Sequence, residues 1–265
     1  MQIKDLCMEY RRNPIGIDIL KPGFSWKLES EKQNTMQTGY QIQVISEGRM
    51  IWDSGCRKSD QSVLVEYEGD LLQAETVYEY RVTVWDNHGE MAAAVGHFET
   101  GLLSGKNFKA QWITHPFEKE ETACPIFTKT FALKGKVKRA RVYATALGVY
   151  EVSVNGSKAG DAFFAPGWTN YKKRLQYQTY DVTDLLGQEN ILEITVGNGW
   201  YKGILGFYCR PDNYGDRTAV LAELHVIYED GTREVIATDT NWQLKTGQIR
   251  YSELYMGETI DSTYT

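Results

Sequence analysis

The feature that most constrains this chain is a two-residue rhythm that returns along its whole length. Tyr40-Gln41-Ile42-Gln43-Val44 alternates apolar and polar side chains strictly, and so does Tyr78-Glu79-Tyr80-Arg81-Val82-Thr83-Val84-Trp85. Successive side chains of a strand point to opposite faces, so each stretch predicts a half-buried strand with one face in a core. No window beyond about a dozen residues sustains the i, i+3, i+4, i+7 apolar spacing of an amphipathic helix. Turn signals punctuate the runs at Ser46-Glu47-Gly48, Asp53-Ser54-Gly55 and Asp86-Asn87-His88-Gly89. Short strands at this spacing over the first ~100 residues predict a sandwich of immunoglobulin or fibronectin type III shape. With no Cys…Trp…Cys pattern, the fibronectin label fits better.

The rhythm breaks at Thr100-Gly101-Leu102-Leu103-Ser104-Gly105-Lys106-Asn107, which is rich in Gly, Ser and Asn. A domain junction is expected there, dividing the chain into 1–103 and 104–265, with Trp112 opening the second unit. That unit is strand-dominated again. Ala140-Arg141-Val142-Tyr143-Ala144-Thr145-Ala146 is followed by Tyr150-Glu151-Val152-Ser153-Val154 and then Asn155-Gly156, a hairpin signal because both residues tolerate φ > 0. Ile191 to Val196 and Ala219 to Tyr228 are further strands, and one short helix is expected at Val182–Leu186, with Asp181 as its N-cap and Gly187 as its stop. A domain of ~160 residues built this way reads as a two-sheet sandwich of jelly-roll, galactose-binding-like type. The expected fold is therefore all-β, two tandem β-sandwiches, with Gln248 to Thr265 taken as a connection leading onward.

Charge and cysteine spacing exclude several functions. With 29 Lys+Arg against 35 Asp+Glu the net charge is -6, which argues against a binder of nucleic-acid backbones. No apolar run approaches the ~20 residues of a membrane span, and the start shows no apolar segment of a secretory signal, so the expected location is cytoplasmic. Cys7, Cys56, Cys124 and Cys209 are far apart, with no His at ligand spacing. They are read as small buried or half-buried thiols in a reducing compartment, without a zinc site or disulfide framework. His88, His97, His115 and His225 lie in no nucleophile-elbow context, and neither phosphate-loop nor dinucleotide glycine patterns occur. The 17 Tyr and 7 Trp are the unusual numbers, since aromatics favour strands and also sugar- and protein-binding surfaces.

Several ordered strings carry a resemblance. In the first unit these are Ile51-Trp52-Asp53-Ser54-Gly55, the Tyr78–Asp86 run and His97-Phe98-Glu99-Thr100-Gly101. In the second they are Leu147-Gly148-Val149-Tyr150-Glu151, Ala165-Pro166-Gly167-Trp168-Thr169-Asn170-Tyr171, the Gln176–Thr183 run, Gly197-Asn198-Gly199-Trp200-Tyr201-Lys202-Gly203, Tyr214-Gly215-Asp216 and Tyr255-Met256-Gly257-Glu258-Thr259-Ile260-Asp261. The set resembles the N-terminal half of bacterial α-L-rhamnosidases, glycoside hydrolase family 78, over essentially the whole chain. The resemblance implies a fibronectin-like domain followed by a sugar-binding-like jelly roll. It implies an enzyme that hydrolyses terminal α-L-rhamnose by inversion on a later (α/α)6 barrel, which this chain does not contain. Inversion uses a carboxylic acid and a carboxylate ~6.5–9.5 Å apart; both are expected on that barrel, so no catalytic residue is assigned here and the chain reads as a fragment. The expected partners are an L-rhamnose-containing carbohydrate and the missing catalytic domain, with no nucleic acid and no membrane.

Six residues are candidate sugar contacts: Asp161, Trp168, Tyr171, Asn198, Trp200 and Tyr201. Trp168 and Tyr171 suit a platform for the C–H face of a deoxy sugar, or Trp168 plugs the core where a loop crosses the sandwich mouth. Asn198 offers both donor and acceptor to vicinal hydroxyls, or its glycine-flanked loop fixes the two sheets or packs on the missing barrel. Family members often carry Asp where Asn198 stands, and the amide removes that charge. In some related enzymes an equivalent domain, a carbohydrate-binding module of family 67, holds rhamnose beside calcium. Asp161 matches that loop, and its carboxylate would suit calcium, but Ala162 follows where a second polar residue would be needed. No cofactor is expected otherwise. Two other readings stay open: a stand-alone rhamnose-binding module, and accessory sandwiches of another glycosidase of β-galactosidase type.

Overall fold

A computed structural model describes residues 1–104, 108–118, 121–206 and 208–264. The chain divides into two compact units, Met1–Phe108 and Lys109–Thr265. Of the junction string, Gly105, Lys106 and Asn107 lie outside the described residues.

In the first unit the strands are β1 (Gln2–Met8), β2 (Gly23–Glu29), β3 (Gln37–Ser46), β4 (Arg49–Asp53), β5 (Val65–Glu66), β6 (Val77–Asp86) and β7 (Met91–Glu99). They form two antiparallel sheets, ordered β1-β2-β5 and β4-β3-β6-β7. The alternation read from the sequence decides which face is buried: Tyr78, Tyr80, Val82 and Val84 of β6 are buried, while Glu79 and Arg81 are exposed. The core is aromatic. Phe98 stacks on Tyr78 at 4.8 Å, and Tyr80 tilts against Phe24 at 5.0 Å, contacts worth about 0.5–1.5 kcal/mol each beyond the area they bury. The hydroxyls of Tyr67 and Tyr80 are buried there without a hydrogen-bond partner.

The second unit contains β8 (Ile113–Thr114), β9 (Pro125–Ala132), β10 (Val137–Leu147), β11 (Val149–Val154), β12 (Ser157–Lys158), β13 (Gln178–Asp181), β14 (Glu189–Gly197), β15 (Ala219–Tyr228), β16 (Arg233–Ala237), β17 (Gln243–Thr246), β18 (Ile249–Glu253) and β19 (Gly257–Ile260). One sheet runs β13-β10-β15-β16 with β8 beside β15; the other runs β12-β11-β14-β9-β17; β18 and β19 form a hairpin. Val142, Ala144, Val152, Leu192, Ile194, Val220 and Leu224 fill the space between the sheets. Asn155 and Gly156 stand at φ 52° and 78° in the turn from β11 to β12, as the Asn-Gly pair demands.

Central strands β10 and β15 are buried on both faces. On the second face Glu223 is fully buried and accepts hydrogen bonds from the Lys109 and Ala110 N–H groups, the latter at 2.6 Å, and meets His225 Nε2 at 2.6 Å. Tyr143 packs edge-on against His225 at 5.0 Å. The carboxylate thus fastens the first residues of the unit across its central strand.

Three local readings change. The short helix is a 3-10 turn at Thr183–Leu185 whose N-cap is Val182. Asp181 lies one residue further out, where it accepts the Thr183 N–H at 3.0 Å and pairs with Arg141 at 2.6 Å. Residues 248–264 do not trail away: the hairpin docks by hydrogen bonds from Cys124 N–H to the Ile249 carbonyl at 3.0 Å and from Thr122 Oγ1 to the Arg250 carbonyl at 2.8 Å. All four cysteines are free, and Cys56 and Cys209 are exposed rather than buried. Among the described residues no helix is long and apolar enough to cross a membrane.

Candidate functional site

The site grows from a crossing of two backbones. At Gly148, φ +146°, the chain passes from β10 into β11, and a Cβ there would lie 2.5 Å from the Gly197 carbonyl oxygen. Gly199 faces the same crossing at φ +55°, where a Cβ would meet Val149 Cγ1 at 2.6 Å. Only glycine fits at both points. The Gly197-Asn198-Gly199 string therefore lets β14 stop against β11 and begin a one-turn helix, α1 (Gly199–Lys202), where the sequence suggested a glycine-flanked loop.

That turn sets Trp200 and Tyr201 against the loop between β12 and β13. Trp168 lies parallel to Trp200, ring centroids 6.1 Å apart and planes 6° from parallel, and Phe164 meets Trp200 edge-on at 5.9 Å. Beside them Tyr171 meets Tyr201 at 5.4 Å and Tyr214 at 5.0 Å. Burial, then the neighbouring Tyr214, push the Tyr171 hydroxyl up to about 12, so it stays a neutral donor and gives its proton to the Gly167 carbonyl at 3.0 Å. The loop is pinned from behind: Tyr150 N–H donates to the Ala165 carbonyl at 2.8 Å, and Gln178 Nε2 to the Pro166 carbonyl at 3.1 Å. Its outer rings stay open, with Trp168 58%, Phe164 61% and Phe163 77% exposed.

Below this aromatic face, Asn198 Nδ2 donates to Glu253 Oε1 at 2.8 Å, and Ile204 N–H donates to Glu253 Oε2 at 2.9 Å. A buried carboxylate from β18 thereby holds both ends of the α1 turn. Two cavities flank it. One of about 520 Å³ is walled by Phe163, Phe164, Glu151, Leu254 and Glu258. The other, of about 190 Å³, is walled by His115, Asn198, Lys202, Thr218 and Ser252. Burial, then the nearby charges of Lys202 and Arg217, hold the His115 imidazole down at about 4, so it is neutral at physiological pH. Cys124 borders both cavities, and burial, reinforced by Glu258 and Glu253, pushes its thiol up to about 12, far from a nucleophilic thiolate.

Five of the six sequence candidates are thus drawn together: Trp168 on Trp200, Tyr171 on Tyr201, and Asn198 beneath them on Glu253. Asp161 is apart, exposed at the bend after β12 and lining neither cavity. Among the described residues no group of three or more His, Cys, Asp or Glu is placed to hold a metal ion. Phe163, Phe164, His115 and Glu253 were missed, while Tyr214 stood in a string the sequence had already singled out. The Phe163-Phe164 doublet directly before Ala165 was a readable signal; Glu253 had none, because its role depends on partners about fifty residues away.

The geometry finds counterparts among known proteins. Residues 135–265 match the family described as the alpha-L-rhamnosidase N-terminal domain, and residues 3–104 match the Rha78A-like N-terminal immunoglobulin domain. An alpha-L-rhamnosidase of Formosa agariphila is 36% identical over 270 residues, which cover 95% of this chain and 29% of that protein. The crystal structure of an Aspergillus terreus rhamnosidase superposes with a TM-score of 0.90 at 35% identity, covering 98% of this chain and 31% of the other. That of a Streptomyces avermitilis alpha-L-rhamnosidase complexed with L-rhamnose gives 0.93 at 25% identity, covering 99% and 43%. The chain therefore spans less than half the length of each of these proteins, all of which carry further sequence.

Proposed function

Since this chain belongs to the N-terminal domain families of the α-L-rhamnosidases, we propose that it is the leading, non-catalytic part of an enzyme that releases terminal α-linked L-rhamnose from glycosides. The observation that carries this is the continuous match of both sandwiches, in order, to under half of each longer relative. The acid and base of an inverting hydrolysis belong to the sequence outside the matched span, in the catalytic domain that is this chain's partner. Within the second sandwich, the open face of Trp168, backed by Trp200, receives the sugar. A pyranose C–H face gains from burial against an indole, and Trp168 is already held in place, so little ordering entropy opposes binding. Calcium at Asp161 would be an addition to this reading, and it has no second carboxylate beside it in sequence.

The test is an assay with an aryl α-L-rhamnoside on the full-length parent and on this chain. The parent is expected to turn the substrate over and this chain to be inert. A parent that cleaves β-galactosides instead, or a chain that hydrolyses rhamnoside unaided, would overturn the assignment. For the sugar face, calorimetry with L-rhamnose should show binding that Trp168→Ala weakens by about tenfold, the loss of roughly 1.4 kcal/mol; an unchanged affinity would refute it. A second reading is favoured by the exposure of Phe163 and Tyr255, at 77% and 64%: the same face seats the remainder of the enzyme. In that case Trp168→Ala leaves rhamnose affinity alone and lowers the thermal stability of the parent.

A further inference from the structure

The smaller cavity holds an unsolved problem of hydrogen bonding. His115 is 6% exposed and Thr218 2% exposed, both line the cavity, and neither His115 Nδ1 nor Thr218 Oγ1 has a partner. A buried polar atom left without a partner costs about 1–3 kcal/mol, so natural structures rarely leave two side by side. The space of about 190 Å³ is more than a single-water hole, which needs only about 10–15 Å³. Asn198, Lys202, Ser252 and Glu253 also face it, beside the apolar Val196, Ile204 and Pro211, and the Lys202 ammonium has no ion pair among the described residues.

We propose that this cavity is a second ligand site, distinct from the aromatic face, for a small neutral polyhydroxylated molecule on the scale of one sugar ring. The charge on the walls selects that class. Both signs meet at the wall: the Lys202 ammonium, with the Arg217 guanidinium close by donating to the His115 carbonyl at 3.0 Å, stands against the carboxylates of Glu121, Asp212 and Glu253, so a bare cation would meet the first and a bare anion the second. An anion would meet the Glu253 carboxylate, which is already committed to Asn198 and Ile204. Hydroxyls suit both sides, because each donates one hydrogen bond and accepts others. They can accept from Lys202 and Ser252 and either donate to or accept from Thr218 and the imidazole. The neutral state of His115 fits this role, since it presents one N–H and one lone pair. Neither atom was expected from the sequence, where His115 belonged to no motif.

The test uses the full chain, titrated with L-rhamnose, D-glucose and glycerol and followed by calorimetry and by the 15N resonances of His115; the choice of L-rhamnose as first probe rests on the reading above. The expected result is a shift of the His115 ring nitrogens and an affinity that Thr218→Val and Lys202→Ala each lower by about tenfold, with Trp168→Ala without effect on this binding. Thr218→Val separates binding from folding: the hydroxyl it removes makes no hydrogen bond in the protein, so its melting temperature should equal or exceed the parent's. A His115 signal unmoved by all three probes overturns the proposal. So does binding that only Trp168→Ala weakens, which would place all sugar on the aromatic face, and so does a crystal soaked in polyol that shows ordered water alone in the cavity. Conversely, His115 shifts that survive Trp168→Ala, with no separate Trp168-dependent binding, would refute the aromatic reading and leave this one standing.

Discussion

Glu253→Ala tests whether one carboxylate organises the site. Its two oxygens accept from Asn198 Nδ2 at 2.8 Å and from Ile204 N–H at 2.9 Å, and the residue is 8% exposed, so both bonds are shielded from bulk water. Hydrogen bonds to charged groups contribute about 1.5–3 kcal/mol each. Two of them, less the desolvation recovered when a buried charge is removed, give an expected loss of about 3 kcal/mol. Glu253→Gln keeps one carbonyl acceptor and turns an amide towards the other donor, so it should lose roughly half as much. Urea unfolding followed by near-ultraviolet circular dichroism reads both quantities, because the parallel Trp168–Trp200 pair reports on the α1 turn and the midpoint reports on stability. The expected order is wild type, then Gln, then Ala, with the tryptophan signal altered before the main transition in the alanine variant. An alanine variant within about 0.5 kcal/mol of wild type, typical of a surface change, would refute the reasoning, as would a glutamine variant as damaged as the alanine.

Glu223→Ala should cost about 3–5 kcal/mol, because it removes the carboxylate that meets His225 and frees the Lys109 and Ala110 N–H groups; thermal unfolding measures the loss, and trypsin should gain a cut after Lys109. Tyr80→Phe removes a buried hydroxyl that has no partner, so it should leave stability unchanged or raise it by up to about 1 kcal/mol, read from the denaturation midpoint. The protein should also lose stability in acid through His115. Its imidazole is held at about 4 in the fold against an ordinary 6.5, so there is no effect above pH 6.5; below it the unfolded chain binds a proton that the folded chain refuses. The loss grows to about 3 kcal/mol by pH 4, and His115→Gln should abolish that part of the slope in a pH series of urea midpoints.

Much of the architecture was legible because strands with one wet face write their geometry into the sequence. Tyr78, Tyr80, Val82 and Val84 could point only one way once their neighbours were Glu79 and Arg81. Asn155-Gly156 named its own turn. The aromatic cluster was legible in part, since Trp168 and Trp200 were each conspicuous, but nothing in either string said that they would face one another. That meeting depends on Gly148 and Gly199 admitting two backbones to the same place. Glu253 and His115 were illegible for the same reason. Their importance lies in partners distant along the chain, and a carboxylate or imidazole looks alike in sequence whether it is solvated or buried. The final hairpin was misjudged because strands of five and four residues leave too short an alternation to read.

The pairing of β9 with β17 joins residues 125–128 to residues 243–246, and β8 joins β15 from over a hundred residues away. On the ribosome these contacts set an order of events. The first sandwich has all its strands once Glu99 has emerged. The second cannot complete its sheet until Thr246 has followed, and at about 5–20 residues per second that wait is roughly 7–30 s. From its own synthesis until then, β9 carries an open edge without its partner β17. The nascent second domain is therefore the stretch of this protein with the longest-waiting strand edge, and only faster synthesis between Ala132 and Thr246 would shorten that wait.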